Sequence, residues 1–177
     1  MADAVILVQD DFGLVNGANS YQDATDAMLL WDNAGYDYTT PGYTTNQMNV
    51  ALIQGTSYMD TRWRFHGIRK QLRQNTAWPR YNLIDIDRNP VNIIPLHVKL
   101  AHAEYAWIFL TTGTLNPVPV RDPTGARLQA KTTQVGPIME SVRYSGAAVF
   151  VSPIYPIADG YLTERGYVIP NTSIMRG

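Results

Sequence analysis

The sequence predicts a mainly α fold: a small helical bundle with a projecting β-hairpin and an extended C-terminal tail. Three observations lead there. Three stretches up to residue 113 repeat apolar residues at helical spacing behind capping residues, residues 127–144 alternate in the manner of paired strands, and the last thirty or so residues are rich in Tyr, Pro and Gly with little period. The boundaries that follow are a helical domain with an N-terminal strand over 1–113, a Pro-rich linker over 114–126, a hairpin over 127–145 and a docking tail over 146–177.

Ala4 to Val8 is an aliphatic, β-branched run that reads as a short strand, and the turn-rich DDFGLVNGANS follows it. A first helix is expected from Ser20 as N-cap, with Ala24, Ala27, Met28 and Trp31 at helical spacing and Gly35 as its stop. Thr44 and Gln47 form a capping box for a second helix, whose stripe runs Met48, Ala51, Leu52, Gly55, Tyr58, Met59 and on to Trp63. Gly55 inside that stripe lowers helix propensity, and close approach of another helix is the expected compensation. RWRFHGIRKQLRQNTAWPR (62–80) reads as a structured loop or short helix, since Pro79 disfavours a helix through Trp78.

A third helix is expected from Pro95 at its first position to about Thr112. Val98, Ala101, Tyr105, Ile108 and Phe109 form one stripe, and Leu96, Leu100, Ala103, Trp107 and Leu110 form another nearly opposite. His97 with Glu104, and Lys99 with His102, fall in the seams. Such a helix needs cover on both sides, and the expectation is one face on the core and part of the other in an interface. LNPVPVRDPTG is the linker, ARLQAKTTQ and VGPIMESVRY are the hairpin strands, and a short helix is possible over Ile157 to Arg165.

At 177 residues the chain fits one domain with appendages. Hydrophobic residues make up 45% and charged residues 16%, below the roughly 25% usual for soluble domains, so surfaces covered by partners are expected. No stretch approaches the roughly 20 apolar residues of a membrane helix, and the N-terminus lacks the pattern of a secretory signal, so no membrane partner is expected. The net charge of -1 conceals segregation. Residues 1–61 hold eight Asp and no Lys or Arg, whereas residues 62–80 hold Arg62, Arg64, Arg69, Lys70, Arg73 and Arg80 and no acid. Opposite patches suit head-to-tail contact between copies, or they pair within one subunit.

Catalytic chemistry finds little support. Without cysteine there is no thiol nucleophile, thiolate metal site or disulfide. His97 and His102 are five apart rather than four, and His102-Ala103-Glu104 lacks the cysteine ligands that a zinc deaminase needs. No phosphate-cradling or nucleophile-elbow motif occurs, and Asp10, Asp11, Asn16 and Asn19 lack the spacing of a calcium loop. The expectation is a protein with no enzymatic activity and no cofactor or metal. The basic stretch carries more functional weight. Its cations can pair with phosphates while Trp63, Phe65 or Trp78 stack on unpaired bases; alternatively the indoles fill core or interface and the arginines pair with acids. The sequence pI of about 6.3 weighs against a dedicated nucleic-acid protein. Trp31, Trp63, Trp78 and Trp107 are accordingly expected in core or interface.

DDFGLVNGANSY, ALIQGTSYMDTRWRFHG, AWPR, IIPLHVKLAHAEYA and VGPIMESVRY, in this order, resemble a tailed-phage family over roughly residues 10–145, with TSYMD, WRFHG and WPR the most specific blocks. Its members are often labelled DnaT-like single-stranded DNA-binding proteins and also look like head-to-tail connector (adaptor) subunits. The connector reading implies a virion protein, made in the host cytoplasm and placed at the neck of the particle. It implies a homo-oligomeric ring of twelve copies, bound to the portal protein and a downstream neck or tail protein, with double-stranded genomic DNA in the lumen contacted without sequence specificity. Arg62 to Arg80 would then meet a neighbour or the portal, and the hairpin, through Val135, Ile138, Val142 and Tyr144, an adjacent subunit or ring. The DnaT-like reading implies a replication-associated protein gripping single strands through Arg62, Arg64, Arg69, Lys70 and Arg73. Segregated charge, a two-faced helix, a hairpin and a docking tail favour the connector.

Overall fold

A computed structural model describes residues 3–115, 127–134, 139–145 and 154–169 of the chain. These form a small, mainly α bundle of four helices and a separate antiparallel hairpin. One compact unit comprises the residues up to Leu115 together with those from Ile154 onward; the hairpin belongs to the other.

The N-terminal segment is extended but makes only an isolated parallel bridge, Val8 to Ser20, where a strand over Ala4 to Val8 was expected. Ser20 is used up in that contact: its carbonyl accepts from Gln9 N at 2.8 Å and its hydroxyl donates to Gln22 O at 2.6 Å. Helix α1 (Ala24–Ala34) therefore starts later than the sequence suggested, with Asp23 as N-cap accepting from Asp26 N. It stops as expected at Gly35, whose φ of 75° lets Tyr36 N return to Trp31 O at 2.9 Å.

Helix α2 (Thr45–Arg62) opens on the Thr44–Gln47 capping box and packs along α3 (Leu96–Thr112). A Cβ on Gly55 would lie 3.1 Å from Ala106 N and 3.3 Å from His102 O, so the missing side chain is what lets the two backbones approach. Pro95 caps α3 from outside rather than occupying its first turn, and Gly113 closes it in the left-handed region at φ 76°.

Both faces of α3 are covered by the chain itself along most of their length, with Leu96 left exposed at the start of the second. Val98, Ala101 and Tyr105 lie in one buried cluster with Met59, Trp78, Ala158 and Leu162, while Ala103 and Ala106 lie in a second with Trp31, Met48 and Leu52. Trp107 and Leu110 pack on the second cluster, so the face expected to seek a neighbouring subunit is met largely by α1 and α2. One residue of each seam is buried, His102 fully and Glu104 to 8% exposure, while His97 and Lys99 are half-buried.

Between α2 and α3 the chain makes one two-residue ribbon, β1 (Ile68–Arg69) with β2 (Arg80–Tyr81), and otherwise irregular backbone with a cis Trp78–Pro79 bond. Strands β3 (Arg127–Gln134) and β4 (Met139–Ser145) pair antiparallel, with an irregularity between Leu128 and Ala130. Residues 116–126 of the expected linker, and 146–153 and 170–177 of the expected tail, lie outside the described residues. What is described of the tail belongs to the helical body. Helix α4 (Pro156–Thr163) packs on α3, and residues beyond it return to 64–66, with Ile169 N on Arg64 O at 2.7 Å and His66 N on Tyr167 O at 2.9 Å.

Candidate nucleic-acid interface

The six cations of residues 62–80 divide into two structural anchors and an outward set. Arg62 turns inward. Its guanidinium bonds Asp159 at 2.7 Å and Tyr58 Oη at 2.6 Å, and it lies over the rings of Tyr58, Trp63 and Tyr155. Asp159 also accepts from the Tyr105 hydroxyl, which in turn accepts from Trp63 Nε1 at 2.9 Å. Burial, with the bond to Asp159, drives Tyr105 far above the usual tyrosine range, so its proton stays in this network. Arg80 is the second anchor: its guanidinium donates to the carbonyls of Phe65, His66, Gly67 and Ala77 at 2.7–3.3 Å, closing the loop on itself. Burial and, after it, the nearby Arg69 charge lower its pKa.

The outward set is Arg64, Arg69, Lys70 and Arg73. Arg64, Arg69 and Arg73 are exposed, and Lys70 is half-buried. Lys70 Nζ donates to Asp11 O at 2.8 Å and sits 5.5 Å from the centre of the Phe12 ring. Asp10 Oδ1 accepts from Phe12 N and Leu14 N, and this turn leaves Phe12 64% exposed beside the lysine. On the ribbon, Tyr81 pairs across from Ile68, and both are exposed next to Arg69. Leu72 stands wholly in solvent at the loop tip between Lys70 and Arg73.

The aromatic residues picked from sequence as base-stacking candidates are core residues instead. Trp78 is fully buried between Phe65 and Tyr167, with edge contacts at 5.6 and 5.5 Å, Phe65 is itself buried, and Trp63 is spent on Tyr105 and Arg62. The rings that face solvent beside cations are Phe12 and Tyr81. Phe12 could have been found from its setting in polar turn residues, which leave an aromatic little chance of burial; Tyr81 carries no comparable signal. Trp31 and Trp107 lie in the second core cluster, Trp31 Nε1 donating to Ala103 O at 3.0 Å and Trp107 stacking on Tyr36 at 4.8 Å.

Asp60, the acid of the TSYMD block, fixes this loop from beneath. Its carboxylate accepts from Tyr21 Oη at 2.5 Å and from Ala77 N at 2.7 Å. Burial pushes its carboxyl up to about 6, against the opposing pull of those two bonds and of Arg69 and Arg80. The acidic and basic stretches do not otherwise neutralise each other. Among the described residues the two ion pairs are Arg62–Asp159 and Arg165–Asp87, and neither joins residues 1–61 to residues 62–80. The aspartates of the first stretch serve as caps and turn acceptors, as at Asp10, Asp23 and Asp37.

Val142 and Tyr144 fall on β4, opposite Lys131 and Leu128, whereas Val135 and Ile138 lie outside the described residues. Among the described residues no group of three His, Asp or Glu could hold a metal, and no helix is long and apolar enough to cross a membrane.

The family described as "Putative DnaT-like ssDNA binding protein" matches residues 5–173. Comparison with curated proteins and with solved structures returns no match. The family match corrects the connector reading. What fits nearly the whole chain is described by single-stranded DNA binding, and nothing in it points to a virion, a phage neck, a portal partner or a ring. Two of the features that favoured an assembling subunit also lose force, because α1 and α2 cover the second face of α3 from Ala103 to Leu110, with Leu96 left exposed, and residues 154–169 pack on their own chain.

Proposed function

Since the chain belongs to the DnaT-like ssDNA-binding family, we propose that it binds single-stranded DNA without sequence preference, through the outer surface of residues 64–81 together with Phe12. The observation that carries this reading is the placement of Phe12 and Tyr81, both solvent-facing, beside outward cations that form no salt bridge among the described residues. Arg64, Arg69, Lys70 and Arg73 take phosphates, and the two rings offer faces to unpaired bases. Such stacking is available to a strand whose bases are splayed out and denied to a duplex. Arg62 and Arg80 hold the surface in shape rather than touching DNA.

The test is fluorescence anisotropy with a labelled oligo-dT at several salt concentrations. Four phosphate contacts imply a slope of log affinity against log salt of about -3. Replacing Arg64, Lys70 and Arg73 together by Glu should weaken binding at least tenfold and flatten that slope, and Phe12→Ala should cost about 1–3 kcal/mol. An unchanged affinity in the triple variant sinks the proposal. Equal affinity for a duplex of the same length sinks its stacking half.

A further inference from the structure

A groove of about 300 Å³ lies on the helical body away from the basic ribbon's residues, walled by Leu30 and Ala34 of α1, Leu96 and Leu100 of α3 and Tyr161 of α4, with Trp31 and Glu104 also lining it. Leu96 at one end is 59% exposed, so the groove is open there. Glu104 sits two helical turns further along α3, about 12 Å at 1.5 Å per residue.

Glu104 is the unusual member. A buried carboxylate ordinarily has a cation or several donors around it, because taking a charge out of water costs several kcal/mol unless it is paired. Here both oxygens face a single neutral donor, the Tyr36 hydroxyl, at 2.9 and 3.1 Å. That hydroxyl is held in place by the stack of Tyr36 on Trp107. Two oxygens can accept about four hydrogen bonds, so most of the acceptor capacity is unused. Among the described residues Glu104 has no ion-pair partner, and burial outweighs the Tyr36 bond and raises its carboxyl above the ordinary range. Among the residues lining the groove Glu104 is the one charged side chain. For packing alone, leucine would serve at this position.

We infer that this groove is a docking site for a partner polypeptide that inserts an arginine onto Glu104 and lays a neighbouring aliphatic side chain against Leu96 and Leu100. The planar guanidinium can bond both carboxylate oxygens at once, and its aliphatic stem suits leucine walls. The distance from Glu104 to Leu96 exceeds one side chain's reach, which leaves room for a second residue of the same segment. This site is independent of the DNA-binding surface.

The probe is the peptide acetyl-Leu-Ala-Arg-amide, set against the same peptide with citrulline, a neutral isostere, in place of arginine. Amide chemical shifts of the full-length protein are followed at Leu100 and Glu104. The arginine peptide should bind at least tenfold more tightly than the citrulline peptide, as expected for a charge-assisted pair. Glu104→Gln, which keeps an acceptor for Tyr36, should abolish that preference. Leu100→Lys, one turn before Glu104, should supply an internal cation and close the groove to the peptide while leaving the fold intact. No shift at millimolar arginine peptide, equal affinity for both peptides, or an unaltered preference in Glu104→Gln each overturns the proposal. Binding that emerges only after removal of residues 170–177 assigns the groove to the chain's own Ile174-Met175-Arg176 and overturns the partner reading as well.

Discussion

The α2–α3 pair and the segment between them, residues 63–95, are equally buried in places but held by different means. Along α2 and α3, backbone groups are satisfied within each helix, and stability comes from apolar contact spread over two clusters and from the close approach at Gly55. In 63–95 only two pairs of residues form a ladder, yet Gln74, Thr76, Ala77, Trp78 and Pro79 are all buried. Their backbone groups must find partners one at a time. Gln74 Nε2 donates to Thr76 O and Pro79 O, the Thr76 hydroxyl to Trp78 O, Ala77 N to Tyr21 and Asp60, and the Arg80 guanidinium to four carbonyls. A helix tolerates exchange of one apolar residue for another; a loop wired by named side chains depends on each of them. The base of the loop that presents the outward cations is therefore held by side-chain hydrogen bonds rather than by regular structure, an arrangement suited to a preformed binding surface.

The sharpest break in this contrast is Trp78→Ala. The indole joins the loop to the core through Phe65 and Tyr167, and its removal should cost about 4 kcal/mol in urea unfolding, in a single transition. A loss under about 2 kcal/mol would mean that the loop is an appendage to the helical core.

The helical pair is tested at Gly55. The atoms a Cβ would meet are backbone atoms of α3, which cannot retreat without moving the whole helix. Gly55→Val should cost about 3 kcal/mol by overpacking. Gly55→Ala should also destabilise, although alanine gains about 1 kcal/mol of helix propensity over glycine. A higher melting temperature for Gly55→Ala would show that α2 and α3 separate easily at this point.

The same division decides what could be read from the sequence. The Thr44–Gln47 capping box, the close approach at Gly55, the span of α3 and the stop at Gly35 all rest on signals within a few residues, and each is seen in the structure. The start of α1 was misplaced because Ser20 and Asp23 are both good caps, and only the remote pairing of Ser20 with Val8 decides between them. The basic stretch was legible as a stretch but not as a surface. Whether an arginine points inward depends on partners such as Asp159, 97 residues from Arg62, and no period or spacing carries that information. The exposed rings were missed for a related reason: aromatic residues beside cations look alike in sequence whether they are buried, as Trp78 is, or open, as Tyr81 is.

The smallest expected effect separates the two regions by the sign of their response to pH. Asp60, which pins the loop, has its carboxyl pushed up to about 6 by burial. Between pH 4 and 6 the folded protein therefore binds this proton more tightly than the unfolded chain, and the contribution to stability falls as pH rises through that window. His102, between α2 and α3, is pushed down to about 4, also by burial, with its Nε2–H on Leu52 O at 2.8 Å. The unfolded chain then binds the proton more tightly between pH 4 and about 6.5, so this contribution rises with pH over nearly the same range. In the wild-type protein the two slopes oppose each other. Asp60→Asn removes the falling one and should leave stability climbing more steeply from pH 4 to 6.5, whereas His102→Gln should leave it flatter or falling. Urea midpoints at half-unit steps of pH read both slopes. Parallel profiles for wild type and Asp60→Asn would mean that Asp60 ionises as an ordinary carboxylate and that water reaches the underside of the loop.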